Sequence, residues 1–444
     1  MDSFIATLKP QTIRLDAYDD ISSMSSIPFY LWYETPIEPG ILAVSFYKTL
    51  EEFPILAGRI KTGNDSRNFV VIDKDNLNLP DYTDSSCDVH FQTLKDADFD
   101  VRLLPVDYSS ACKTPVAPGV FGRCMKLAEF HVLRMKDNSG MCIFASVPHT
   151  ILDGTGYYSF MRRWAEISKC ILAAPGQLEV PVRDYRHDRS ILETGVERDS
   201  DALEPEVCEI LNTSTAVSRW VAWFSPELRG RIFKYLLSSP GICNYYYQLS
   251  NAASEHLVKL VQPFIEPTVS HLSANDVITA LAAVLFAQAL HKAGRLSGEA
   301  VFLANVMIDM RPRVKRLTNA NYMGNAVIIN GATNALDPML KDCGPQVLAA
   351  VACNIRRMVD GIDERYCNQM GYMLNKNPSG CVNLAMQLTK AGNEFMCTNH
   401  TRFGWYDTDF GSGSPALVRP AFLTAENDFA IMPGRPGQGG YELA

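Results

Sequence analysis

The sequence predicts an α/β protein of two domains, on three observations. Segments of strand character and segments of helical spacing are mixed in both halves of the chain rather than segregated. A stretch rich in proline and charge, from about residue 174 to 206, separates the halves. The 444 residues suffice for two to three domains with large interiors.

In chain order, residues 45–60 (SFYKTLEEFPILAGRI) begin with helical spacing and break at Pro54 and Gly58. Residues 69–72 (FVVI) predict a short strand. Residues 124–134 and 141–147 predict two adjacent strands, the second ended by Pro148. Residues 156–167 then have helical spacing, with Tyr158, Met161 and Ala165 on one side. The segment 176–215 is expected to be a crossover between a domain over 1–175 and a domain over 216–444.

Beyond the crossover, the longest apolar run is VITALAAVLFAQAL, residues 277–290. It falls short of the ~20 residues that cross a bilayer and contains Gln288, so a buried helix over 275–290 is expected, and no membrane partner. Strands are expected at 301–308 and 325–329, a helix at 345–360, and late strands at 395–406 and 429–432.

Composition narrows the function. Apolar residues at 47% and charged residues at 20% are ordinary for a globular protein, which excludes a long disordered tract. The net charge of -8 argues against nucleic acid, which demands clustered cations. Twelve cysteines carry no C-x-x-C pair and no zinc spacing, which predicts dispersed reduced thiols and no metal site. MDSFIATLKPQTIRLDAYDD lacks a basic segment followed by an apolar one, so no secretory signal is expected and the location expected is the cytoplasm.

Two short motifs bear chemistry. The first is His149-Thr-Ile-Leu-Asp153-Gly154, after an apolar strand and before a helix. Histidine ordinarily titrates near ~6.5, which suits a general base. Asp153 would hold the loop so that His149 faces a cleft, and Gly154 would allow a tight path. Read alone, the pattern is equally a polar strand end with Asp153 as a helix N-cap. The second motif is Asp409-Phe-Gly411-Ser412-Gly413-Ser-Pro415. Alone it is a rigid turn; a kinase magnesium site would need a glycine-rich loop and an HRD-type loop that the sequence lacks.

Four further segments accompany these two: FPILAGRI at 53–60, HDRSIL at 187–192, DMRPR at 309–313 and YMGNAV at 322–327. In this order the set resembles the BAHD acyltransferase family over nearly the whole chain. The resemblance implies two similar-sized, chloramphenicol-acetyltransferase-like domains around a central solvent channel. It implies acyl transfer from an acyl-CoA co-substrate, acetyl-CoA by default, to a hydroxyl or amine of a small-molecule acceptor. It implies a monomer with no permanently bound cofactor.

By the same resemblance His149 is the catalytic base. It takes the acceptor's proton as the acceptor attacks the thioester, and no acyl-enzyme forms. The absence of a G-x-S-x-G elbow agrees with that. Asp153 matches the HxxxD aspartate, with Arg311 as its candidate partner. Asp409 matches the DFGWG aspartate, a scaffold residue, with Gly411 and Gly413 shaping its turn. Thr398, eleven positions before Asp409, matches the oxyanion hydroxyl. Arg311, Arg313 and Lys315, with Arg316, form the densest basic cluster and are candidates for the CoA phosphates. Ser273 would offer a hydroxyl at a helix N-terminus.

The sequence departs from the family at two places. Ser412 stands where DFGWG has tryptophan, and His400 stands where the family has an aromatic residue after the threonine. Both put acceptor shape in question more than mechanism, and they point to the fungal secondary-metabolism branch. GGYELA at the end resembles the last family strand, with the helix that follows it missing. The alternatives are a non-acylating relative that binds or cyclises a small molecule, and a condensation-type domain. The latter carries HHxxxDG, whereas Pro148 precedes His149 here.

Overall fold

The computed structural model describes residues 1–21, 26–63, 67–106, 108, 126–175, 180–192, 244–296, 300–376, 393–421 and 427–444. Of the expected crossover, 176–179 and 193–215 lie outside the described residues. The fold is mixed α/β. Among the described residues the first seven strands are β1 (Gln11–Arg14), β2 (Ser26–Tyr33), β3 (Arg59–Thr62), β4 (Asn68–Ile72), β5 (Asp81–Ser86), β6 (Glu129–Arg134) and β7 (Met141–Pro148). The later seven are β8 (Tyr247–Leu249), β9 (Val301–Asp309), β10 (Val327–Ala335), β11 (Glu394–Asn399), β12 (Leu417–Pro420), β13 (Asp428–Pro433) and β14 (Tyr441–Leu443).

They form three sheets. A small sheet runs β1-β4-β3, a five-stranded sheet runs β12-β2-β7-β6-β5, and a six-stranded sheet runs β10-β9-β11-β13-β14-β8. β12 comes from the late part of the chain yet pairs antiparallel with β2, Leu417 opposite Trp32 and Pro420 opposite Phe29. β7, flanked by β2 and β6, is buried at every position from Met141 to Pro148. That accounts for its unbroken apolar run, since both of its faces are covered.

The helix Gly154–Ala173 follows β7 directly. It starts because Asp153 caps it, its carboxylate accepting from the N–H of Gly156 at 3.0 Å. Tyr157, Phe160, Met161 and Trp164 lie at helical spacing on one buried face. Phe46, on the helix Pro39–Glu52, meets Phe160 and Trp164 edge-on. Each such buried side chain is worth ~1.5–3 kcal/mol of transfer energy. The second large core lies between the six-stranded sheet and the helices Ala274–Lys292 and Pro345–Asp360. By length and composition the first of these helices is apolar enough to cross a membrane. Here Val277, Ile278, Ala280, Ala283, Val284 and Ala287 are buried in that core.

Neither core respects the expected division at 176–215. Trp405, Phe410 and Val418 belong to the core of the five-stranded sheet, and Ala17, Tyr18 and Ile21 to that of the six-stranded sheet. The expected elements are otherwise found with shifted ends. The strand expected over 395–406 stops at Asn399 because the Asn399 carboxamide accepts from the N–H of Thr401 at 2.8 Å, starting a turn. The strand expected from 325 starts at Val327, since the backbone and side chain of Asn325 are committed to other partners. Several elements carried no sequence signal that singled them out: β2, β12 and the helices Asn251–Val261 and Glu364–Lys376.

Candidate active site

A cavity of about 190 Å³ lies where the five-stranded and six-stranded sheets meet. The start of β2 (Ser26 to Phe29) and Pro420 of β12 wall it on one side, and β9, β10, β11 and β13 on the other, through Met307, Val327, Thr398 and Phe429. His149, Gly154 and Thr155 line it at the end of β7. The wall is mostly apolar, with His149, Thr398 and His400 among its polar side chains.

His149 has its tautomer set by its neighbours. The Asn325 Nδ2 donates to the carboxylate of Asp19 at 2.8 Å and to the carbonyl of His149 at 2.7 Å. Both partners only accept, so the amide orientation is fixed and its oxygen faces the ring. That oxygen lies 3.0 Å from the His149 Nδ1. An amide oxygen cannot donate, so Nδ1 carries the hydrogen of the neutral ring and Nε2 keeps its lone pair. Asp19 is buried and held by Arg189 at 3.1 Å and by the N–H of Asp16 at 2.9 Å. Arg189 also donates to the carbonyl of Ile151 at 2.7 Å, bracing the loop that carries His149.

Asp153 points away from the cavity and is fully buried. Arg311 reaches its two oxygens at 2.9 and 3.0 Å, and the N–H of Ala326 donates to it at 3.0 Å. Burial works most strongly against the Arg311 charge. Asp153 and Asp309 together outweigh it and raise the guanidinium pKa. Arg311 further donates to the carbonyls of Tyr322 and Gly324. Its remaining N–H donates to Asp309, a cavity-lining carboxylate, at 3.0 Å, so each of the five N–H groups of the fork has a partner. Close by, the helix approaches the Tyr322–Ala326 segment so tightly that a methyl on Gly156 would stand 2.3 Å from the Met323 carbonyl oxygen.

Thr398 lines the cavity near the end of β11, its Oγ1 3.3 Å from the His400 Nε2. His400 is buried against Phe29 and Phe403, with ring centroids at 5.4 and 5.3 Å. Burial, with the neighbouring His149 second, lowers its pKa to about 4.

Asp409 does not line the cavity. Its carboxylate accepts from the N–H groups of Gly411 and Gly413, each at 2.8 Å, and pairs with Lys169 at 2.6 Å. Burial raises its pKa, but Lys169 and the two amides outweigh that and lower it. Both glycines have positive φ, +109° and +111°. At Gly411 a methyl would also meet the Leu172 side chain at 2.4 Å. Ser412 donates to the carbonyl of Thr35 at 2.8 Å. The segment is a scaffold turn between the last turns of the Gly154–Ala173 helix and β2.

The residues assigned to coenzyme A divide. Ser273 is closed in a capping box with Asp276, which Arg356 holds at 2.6 Å. The N-terminus of that helix therefore already has its anion. Arg311 is committed to Asp153, and Arg313 donates to the carbonyls of Val359 and Ile362. Lys315 is exposed. Asn325 lay within the YMGNAV segment and Arg189 within HDRSIL, but neither their role nor that of Asp19 was evident. Those side chains meet across 176 and 170 positions of sequence. Asn325, with two donors and one acceptor, was the signal within reach.

The model of the Transferase family matches residues 8–179 and 252–444. The chain is 24% identical over 293 residues to O-acetyltransferase pyr7 of Aspergillus fumigatus, covering 60% of this chain and 54% of that protein. It is 25% identical over 259 residues to fumigaclavine B O-acetyltransferase easN of the same fungus, covering 55% of this chain and 49% of that protein. The matched region thus spans about half the length of these curated relatives. Among solved structures, TRI101 of F. graminearum complexed with coenzyme A and deoxynivalenol has a TM-score of 0.69 at 15% identity, covering 98% of this chain and 94% of that one. Vinorine synthase has a TM-score of 0.60 at 14% identity, covering 98% and 93%. These two share the two-domain, chloramphenicol-acetyltransferase-like architecture expected from the sequence. With the family model matched over most of its length, and with fungal O-acetyltransferases among the proteins it resembles, the chain belongs to the Transferase family, the BAHD family.

Proposed function

We propose that this chain is an acyl-CoA-dependent O-acyltransferase that acylates, with acetyl-CoA as donor, a hydroxyl of a small specialised metabolite. The observation that carries the reading is His149 on the cavity wall with Nδ1 tied to Asn325 and Nε2 left with its lone pair. A base so oriented takes the acceptor's hydroxyl proton as the oxygen attacks the thioester carbonyl carbon. The carbonyl oxygen becomes an oxyanion, for which the Thr398 hydroxyl is the donor. Collapse breaks the carbon–sulfur bond. The departing thiolate takes the proton from Nε2, and the ring returns to its starting state without an acyl-enzyme.

The relatives named as O-acetyltransferases and the likeness to a fold solved with coenzyme A support this reading. The mostly apolar wall suits an acceptor with an apolar body. Lys315, exposed in the basic segment after β9, is the phosphate contact we assign. The enzyme acts as a cytoplasmic monomer in this reading, with the described free cysteines in support of a reducing compartment.

The test is thermal unfolding of the purified protein with free CoA, acetyl-CoA and longer acyl-CoAs. A ligand that binds only the folded state raises the midpoint with concentration. A rise with acyl-CoA supports the donor, and the chain length giving the largest rise identifies the acyl group. A flat response to all of them in a cooperatively folded sample withdraws the acyl-CoA assignment.

A further inference from the structure

We propose that His400 is a positioning residue for this reaction: its Nε2–H donates to the Thr398 Oγ1 and turns the threonine's hydroxyl hydrogen toward the cavity, where the oxyanion forms. The inference rests on the acyl-transfer reading above, and adds to it a second histidine whose task is orientation rather than proton transfer.

The argument is one of hydrogen inventory. A threonine hydroxyl has one hydrogen, and it stabilises an oxyanion only if that hydrogen points at it. The Thr398 Oγ1 has the His400 Nε2 at 3.3 Å. If that nitrogen were bare, the hydroxyl would donate to it, and the hydrogen would be turned away from the reacting carbonyl. The other ring nitrogen decides the matter. Among the described residues the His400 Nδ1 is buried without a hydrogen-bond partner, and the ring sits against Phe29, Phe403 and Trp405.

The neutral ring has one hydrogen to place. Placed on Nδ1, it becomes an orphaned N–H against an aromatic wall, the costlier kind of unsatisfied group. Placed on Nε2, it makes a hydrogen bond, and the orphan is only a lone pair. Burial favours the neutral ring, so the second donor that a charged imidazolium would bring does not form. The Nε2–H tautomer therefore prevails. Thr398 accepts from His400 and its own hydrogen is released to the cavity. Accepting a bond also polarises the O–H and strengthens it as a donor.

The two imidazoles of the cavity are thus set in opposite tautomers. His149 carries its hydrogen on Nδ1, toward Asn325, and His400 carries it on Nε2, toward Thr398. One ring is built to receive a proton and the other to keep one. An aromatic hydrocarbon at position 400 would pack as well against Phe29 and Phe403 and would leave Thr398 free to rotate.

The test has two arms. In the first, the histidine rings are labelled with nitrogen-15 and long-range proton–nitrogen correlations are recorded near neutral pH, the His400 signals being assigned by their loss in His400→Gln. A neutral ring with its hydrogen on Nε2 supports the proposal; the hydrogen on Nδ1 overturns it. In the second, acetyl-CoA consumption is followed with benzyl alcohol as the probe acceptor. His400→Phe is expected to lower kcat ~10-fold or more with the KM for acetyl-CoA unchanged, a split that a merely packing role does not give. His400→Gln, whose amide hydrogen reaches toward the same hydroxyl, is expected to keep part of what phenylalanine loses. A wild-type rate in His400→Phe overturns the proposal. Failure of the wild type both to bind acetyl-CoA and to consume it sinks the acyl-transfer reading instead, and the tautomer then decides the hydrogen bond alone.

Discussion

Asn325 grips His149 at both ends of the residue, its oxygen against the ring Nδ1 at 3.0 Å and its Nδ2 against the backbone carbonyl at 2.7 Å. One side chain thereby fixes ring rotation, tautomer and loop position together. Its own orientation is set by Asp19, which Arg189 holds in turn.

Asn325→Ala should therefore release the ring. The expected result is a fall in kcat of about 10²-fold with little change in the KM for acetyl-CoA, because a base in the wrong tautomer still leaves the substrate bound. Steady-state kinetics on a variant verified as folded would check it. An unchanged kcat would mean that Asn325 does not set the base.

His149→Ala removes the base itself. Loss of ~10²-fold or more in turnover is expected, with a thermal midpoint near that of the wild type, since the ring is only part-buried. Turnover close to wild type would refute general-base catalysis at this position.

Asp153→Asn should act through stability. The change removes the partner of a buried guanidinium, which typically costs ~3–5 kcal/mol. Urea unfolding should show a lowered midpoint at an unchanged slope. A variant as stable as the wild type yet inactive would instead give Asp153 a direct chemical role.

Acidification should expose His400. The unfolded chain takes up a proton near 6.5, and the folded chain only near 4. The folded state's advantage from this ring is full above pH 6.5 and is lost as pH falls toward 4, up to ~3 kcal/mol. His187, also lowered to about 4 by burial, acts in the same sense. Asp16 and Asp20, raised by burial to about 6 and about 7, act oppositely, since their contribution is lost as pH rises. The measurement is thus a difference. His400→Phe should lose less stability than the wild type between pH 6.5 and 4, and parallel curves would disprove the shift.

Gly411→Ala combines a positive φ with a collision against Leu172. A loss of about 1–2 kcal/mol is expected. Kinetic constants should stay at their wild-type values at temperatures where the variant is folded. A large fall in kcat without destabilisation would place the turn nearer the chemistry than its geometry does.

The legible parts of this molecule were those written in local pattern. The apolar run of β7, the helix after it and the His149–Asp153 spacing lie within one continuous segment, where periodicity and capping chemistry operate. Arg311 was found as a candidate for Asp153 through its motif rather than through spacing, and the two lie 158 positions apart. What stayed hidden were long-range polar commitments. Ser273 read as a free hydroxyl at a helix start, although Ser-x-x-Asp before an apolar run is the local pattern of a capping box; what no local pattern indicates is that Arg356, 80 positions on, holds the Asp276 carboxylate. The basic cluster at 311–316 read as four cations, whereas three of them donate to carbonyls of other segments. A guanidinium is exposed or interior according to the tertiary fold, not according to its neighbours in sequence.

The pairing of β12 with β2 has a consequence for synthesis. Trp32 emerges from the ribosome about 385 residues before its partner Leu417, which at ~5–20 residues per second is roughly 20–80 s. For that interval the first long apolar strand of the protein has an open edge, with Ile27 to Tyr33 ready to pair with whatever strand is nearest. Yield in a recombinant host should therefore depend on how well nascent chains are shielded, and slower translation or lower temperature would lengthen the exposure as well as calm the crowd around it.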